Sequence, residues 1–325
     1  MAVEFAEFHA ELRSVAGDLL AKDRAVDWTV LAEAGWTGLE VAEDLGGAGA
    51  TFAETAVICE EMGRAASANN YLGSAVLAVG VLNALQPSDI RDRLLSDVGS
   101  GARRVAVALG SLDFVPDAVG ADRLLVVTTD AEGVPVIVDS AGLTVTPQPV
   151  VDETRRLAAV SADRLDVTEA LRFEGDPEAQ VRLLLDRAAV AIACDSLGLS
   201  EAMLSATTSY AKVRHQFDRP IGSFQAVKHA CADMLVRISV SRQLVGAAVG
   251  AIAEGRPDAG VAAAMAKSYA TTAAVDVVGK AMQLHGGIGY TWESGVHVYL
   301  KRAALNRSLF GSPAEHRRQL AQRYR

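Results

Sequence analysis

Apolar residues recur every three to four positions from Phe5 to about Asp97, in FAEFHAELRSVAGDLLAK, WTVLAEAGW, TFAETAVICEEMGRAA and IRDRLLSD. That is the period of helices with one buried face. YLGSAVLAVGVLNAL, between them, is apolar almost throughout and predicts a buried helix. It is shorter than the roughly 20 residues a membrane span requires. EDLGGAGATFAE breaks the pattern with Gly46, Gly47 and Gly49, and Thr51 with Glu54 forms a capping box for the helix that follows. No strand precedes these glycines, so they are a loop and not a dinucleotide fingerprint.

From about Arg103 to Phe173 the period shortens. RVAVAL, RLLVVTT, VPVIVD, LTVTPQ and RLAAVS are short β-rich runs separated by Gly, Pro and Asp. From about Pro177 long helical patterns return, two of them beyond ordinary globular length, as in a bundle whose flanks pack against another subunit. The expected fold is mainly α with a small β domain. Its expected divisions are 1–102 (N-terminal helical domain), 103–176 (middle β domain) and 177–325 (C-terminal helical bundle).

Composition narrows the function. Half the residues are hydrophobic and only 5% aromatic, which favours packed helices. A formal charge of −9 gives no general attraction for nucleic acid or anionic membranes, so neither is expected as a partner. Cys59, Cys194 and Cys231 are widely separated and lack metal-site spacing, which fits reduced thiols in the cytoplasm. The N-terminus MAVEFAEFHAELR does not look like a signal peptide.

Two connections carry candidate chemistry. In QLHGGIGYTWE, Gly286 and Gly287 interrupt a helix, which suits a tight turn or a ligand lying close against the backbone. In RHQFDRPIGSFQAVKH, Pro220 and Gly222 break the chain, Ser223 can cap the next helix, and Arg214, Gln216 and Gln225 supply donors. This second segment is either a solvated interhelical turn or a diphosphate site built from an arginine fork and a helix start.

Helices, a small β domain, more helices, RHQFDRPIGSFQ and QLHGGIGYT follow one another in an order that resembles the acyl-CoA dehydrogenase family. LAEAGWTGLEVAEDLGGAGATFAETAVICEEMGRA is similar to that family's N-terminal helical domain. The resemblance implies FAD as cofactor, with its adenosine diphosphate part bound by Arg214, Gln216, Phe217, Gln225, Gln283, Gly286 and Gly287 while a neighbouring subunit holds the flavin ring. Tyr290 and Thr291 continue the loop as ligands or as packing and capping residues.

The sequence also departs from the family pattern. The usual carboxylate base would stand at Phe310, followed by Gly311 and Ser312, and the alternative base position on the first long C-terminal helix is Ala188. Neither side chain accepts a proton. Asp186 lies two residues away, turned far around the helix axis, and reads as an exposed acid paired with Arg182 or Arg187. Glu315 reads as part of a solvated final helix. The family's Thr-Glu-Pro and Trp-Ile-Thr segments that grip the flavin are missing from the β domain.

The resemblance therefore implies the short subunit of a heteromeric acyl-CoA dehydrogenase, similar to the short partner chains of bacterial enzymes that shorten steroid side chains. A longer partner subunit would supply the base, two unlike pairs would form a heterotetramer, and an electron-transfer flavoprotein would accept electrons. The alternatives are a self-sufficient homo-oligomeric dehydrogenase using Asp186 or an unrecognised base, and a catalytically silent helical interaction protein.

Overall fold

The computed structural model describes residues 2–139, 143–161 and 165–322. Up to Gly99 the chain forms α1 (Ala2–Leu20), α2 (Trp28–Glu33), α3 (Phe52–Arg64), α4 (Val79–Asn83) and α5 (Asp89–Gly99). The capping box forms as expected: Thr51 donates from its backbone N–H and its hydroxyl to Glu54 Oε2, each at 2.8 Å, and the Thr51 hydroxyl accepts from the Ala53 N–H. The apolar run departs from expectation in its winding, because Leu72–Ala78 is a π-helix that runs into α4.

Seven strands follow: β1 (Val105–Ala108), β2 (Val115–Pro116), β3 (Arg123–Thr129), β4 (Pro135–Asp139), β5 (Thr144–Gln148), β6 (Leu157–Ser161) and β7 (Leu171–Arg172). Then come α6 (Pro177–Val213), the two-residue strands β8 (His215–Gln216) and β9 (Arg219–Pro220), α7 (Gln225–Ala253), α8 (Ala259–His285), α9 (Val296–Ser308) and α10 (Pro313–Gln322).

The chain divides into two compact units. One, Ala25–Ile58 with Ala68–Ala188, contains all seven β1–β7 strands. They form a four-stranded sheet in the order β1-β3-β4-β7 and a three-stranded sheet in the order β2-β6-β5. Strand β1 runs parallel to β3, whereas β4 pairs antiparallel with both β3 and β7. Ala106, Ala108, Leu124 and Val126 from the first sheet pack with Val115, Ala158 and Val160 from the second. The opposite face of the first sheet is also buried, through Val105, Val107 and Leu125, and β1 lies against the π-helix. Burial on both faces explains why RVAVAL reads as a continuous apolar run. Gly73 ties the π-helix down, donating its N–H to the Asp117 carboxylate at 2.7 Å.

The other unit, Met1–Arg24, Cys59–Ser67 and Ala189–Arg325, is mainly helical among its described residues, with the β8–β9 hairpin between α6 and α7. Helix α8 packs against α7, α9 and α10. Two glycines let the backbones of α3 and α6 touch: a Cβ on Gly198 would stand 1.8 Å from Glu60 O, and one on Gly63 would stand 2.0 Å from Asp195 O. Beside this contact lies a buried ion pair. Arg302 on α9 chelates the Asp195 carboxylate and donates to Ser67 O at 2.8 Å, while Asn306 donates to Asp195 Oδ1 at 2.6 Å. The pair thus locks α9 to α6 with its hydrogen-bonding groups matched, the condition under which a buried charge is tolerated.

Helix α7 is the one described helix long and apolar enough, by length and composition, to cross a membrane. Only 28% of its apolar window is buried, and Leu235, Val236 and Val240 stand exposed. None of Cys59, Cys194 and Cys231 is in a disulfide.

Candidate functional site

Helix α6 ends at Val213, and the chain doubles back through the hairpin β8–β9, whose central residues are Phe217 (φ 52°) and Asp218 (φ 61°). Two left-handed residues match the twist of the flanking strands, a geometry usually given to Asn or Gly. Phe217 is 86% exposed at the tip and meets Phe224 edge-on, with ring centroids 6.1 Å apart. The Arg219 guanidinium lies 4.1 Å over that Phe224 ring. Ile221 N–H donates to Arg214 O at 2.7 Å and closes the base of the hairpin. The Arg214 side chain is exposed and has no ion pair among the described residues. Gln216 is exposed and turns its amide onto His215 O.

The expected Ser223 cap does not form. Ser223 donates to Pro220 O at 2.7 Å, Phe224 occupies the N-cap position, and Gln225 is the exposed first residue of α7. The hydroxyl serves the 3₁₀ turn Ile221–Ser223, which precedes the helix proper.

Helix α8 ends at His285. Gly286 (φ 62°, ψ −144°) takes a conformation open to glycine, and its N–H donates to Gln283 O. A Cβ on Gly286 or Gly287 would meet nothing within 4 Å, whereas one on Gly289 would stand 2.7 Å from Met282 O. Gly289 is therefore the close-packing glycine of the loop, and the pair before it leaves an open stretch of backbone. Gln283 is exposed and accepts from Lys280 Nζ at 2.8 Å. Thr291 Oγ1 donates to Ile288 O, so it closes the turn, while Tyr290 is 69% exposed.

The two connections meet through side chains that sequence reasoning missed. Tyr210, four residues before Arg214, stacks on His285, one residue before Gly286, with centroids 4.6 Å apart and planes 18° from parallel. The Tyr210 hydroxyl donates to His285 O at 3.4 Å. An exposed guanidinium and an unencumbered glycine backbone thus lie at one end of the same helical unit. A flexible cation beside accessible main chain suits a diphosphate.

The expected base positions offer no base. Ala188 is fully buried, and Phe310, in the corner between α9 and α10, has φ 53° and a half-buried ring. Asp186 requires a correction: it is half-buried and paired with neither arginine. Arg187 turns away to chelate Glu40 at 2.6 and 2.7 Å, donates to Val76 O, and lies over the Phe52 ring. Arg182 bonds Asp176 and Glu178 instead. Burial without a cation pushes the Asp186 pKa up to about 6. Glu315 is a capping residue, accepting from Ser312 N–H at 2.6 Å, and that bond holds its pKa down. Among the described residues no His, Cys, Asp and Glu gather into a metal site.

Helical segments precede and follow two small sheets in the chain, the order of elements that comparison with known proteins identifies. Residues 1–102 match the acyl-CoA dehydrogenase N-terminal domain, and residues 178–324 match the acyl-CoA dehydrogenase C-terminal domain. The chain belongs to the acyl-CoA dehydrogenase family, whose members are FAD-dependent flavoproteins.

It is 36% identical over 311 residues to the acyl-CoA dehydrogenase IpdE2 of Mycobacterium tuberculosis, covering 93% of this chain and 88% of the relative. With IpdE2 of Mycolicibacterium smegmatis it shares 33% identity over 90% of this chain and 86% of that protein. Among solved structures, the steroid ACAD Tcur3481-Tcur3483 superposes with a TM-score of 0.87 at 27% identity, covering 98% of this chain and 97% of the other. Butyryl-CoA dehydrogenase from Megasphaera elsdenii shares the fold, with a TM-score of 0.84 at 21% identity over 95% and 96% of the two chains.

Proposed function

We propose that this chain is one subunit of a heteromeric FAD-dependent acyl-CoA dehydrogenase, completing a flavin site whose ring pocket and base belong to a longer partner subunit. The observation that carries the reading is the pairing of an intact phosphate-suited edge with base positions occupied by Phe310 and Ala188. Arg214 would meet the diphosphate of FAD, the Gly286–Gly287 backbone would let the cofactor approach, and Gln216, Phe217, Gln225 and Gln283 would line its adenosine end.

The reaction converts an acyl-CoA thioester to its α,β-enoyl-CoA: a carboxylate removes the α-proton as hydride leaves the β-carbon. Bound FAD supplies the two-electron acceptor at flavin N5. An electron-transfer flavoprotein is the proposed acceptor in turn. The likeness to the steroid ACAD Tcur3481-Tcur3483 supports a steroid-derived acyl group. Its double designation supports an assembly of unlike chains, and a heterotetramer of two unlike pairs is the arrangement that belongs to this proposal. A cytoplasmic location and the three-part division at 102/103 and 176/177 belong to the same reading.

Asp186 gives substance to a second reading, in which the chain is self-sufficient, because its pKa of about 6 suits a general base. Purifying the chain alone and with a longer dehydrogenase-like chain separates the two. Flavin absorbance only in the pair is expected; flavin and turnover in the chain alone would establish the second reading. Flavin in neither preparation would leave a silent interaction protein.

A further inference from the structure

Lys267 on α8 is fully buried, and its ammonium is spent on two main-chain carbonyls, Asn306 O at 3.0 Å and Gly311 O at 2.7 Å. Asn306 stands near the end of α9, and Gly311 (φ 94°) follows Phe310 in the corner before α10. Between the two pinned carbonyls, Phe310 is held at φ 53°, a conformation in which a bulky L-residue is strained. His316 adds a third pin, its Nε2 standing 3.0 Å from Phe310 O. Asn306 is fixed from its other side, because its amide donates to Asp195 and Ser196.

We propose that Lys267 is the positioning residue of the α9–α10 corner: by drawing Asn306 O and Gly311 O onto one ammonium, it holds Phe310 left-handed and fixes the direction in which its ring leaves the backbone. The meaning of this for catalysis rests on the functional reading above, in which the corner is the segment that carries the base in other family members. The same lysine would then aim whichever side chain occupies position 310.

Charges around the ammonium set how the pin responds to pH. Burial pushes the Lys267 pKa down to about 7, and Glu315 on α10 favours its charged form. His316 on α10 faces it, its own pKa lowered chiefly by burial. Arg302 on α9 is engaged by Asp195 of α6, and Arg237 on α7 is paired at the surface with Asp276. As pH rises through the folded pKa the ammonium becomes an amine, and two charge-assisted bonds become neutral ones.

Amide exchange of residues 308–312 in the full chain tests the proposal, comparing the parent with Lys267→Met. Protection in the parent, corrected for intrinsic rates, should fall about 10-fold between about pH 6 and about pH 8.5. In Lys267→Met it should be low at both pH values while amides elsewhere in α8 and α9 keep their protection, and the melting temperature should fall, because two main-chain carbonyls lose their donor. Equal corner protection in parent and variant, or a parent insensitive to pH, would overturn the assignment. Phe310→Gly supplies a second test that leaves the lysine in place: removing the strained side chain should shrink the pH effect, and an undiminished effect would remove the strain argument. No flavin or partner enters these measurements, so FAD retention by the assembled complex tests the functional reading separately.

Discussion

Arg214 is exposed and has no carboxylate partner among the described residues, so truncating it should leave the free chain as stable as before. In the assembled dehydrogenase the same Arg214→Ala change should weaken FAD binding by about 1.5 to 3 kcal/mol, the worth of a charged hydrogen bond. Titrating FAD into the flavin-stripped complex measures it, and unchanged affinity would place the diphosphate elsewhere.

Asp186 makes a contrasting case, because its folded pKa is raised from 3.8 to about 6 by burial. The folded state then binds the proton more tightly than the unfolded state, so stability falls as pH rises between those values. Asp186→Asn should therefore raise the melting temperature at neutral pH and change it little near the unfolded pKa; an equal effect at both would contradict the burial. Its turnover in the flavin-loaded complex should stay within a few-fold of the parent, read as single-turnover flavin bleaching. A loss of about 10² to 10⁴-fold would instead mark it as the base.

Among the elements, the α3–α6 contact leaves no room for a side chain at Gly198 or Gly63. A methyl group on Gly198 would overlap Glu60 O, so Gly198→Ala must part the two helices, at a cost of about 1 to 3 kcal/mol or more. Thermal unfolding should show this with or without cofactor. The glycine loop should behave differently along its length. Gly287→Val meets open space, so it should spare the fold and reduce FAD retention, whereas Gly289→Val should lower the melting temperature outright. Equal stability losses for both would make the loop a turn and nothing more.

Across the whole molecule, what could be read in advance was what repeats along the chain or lies close within it. Five strands lay in period-two or continuous apolar runs, but β2 and β7 have two residues each, too few to show a period. The π-helix has no signature distinct from an apolar α-helix. Arg214 and the glycines stood out as residue types at breaks, yet the Tyr210–His285 contact that joins their segments spans 75 positions. Distance along the chain also explains the misreading of Asp186: Arg187 is its immediate neighbour, but the carboxylate that claims Arg187 is Glu40, 147 positions away.

Leu235, Val236 and Val240 on α7 have a consequence for the cell rather than for the chemistry. A chain leaving the ribosome with such a stripe uncovered is a substrate for chaperones and proteases, and its abundance is set by how soon the stripe is hidden. In the heteromeric reading proposed above, in which a partner subunit covers α7, synthesis in excess of that partner should be wasted, with the surplus degraded or insoluble. Soluble yield would then rise with co-expression until the two products balance, making dosage itself a control on how much enzyme is assembled.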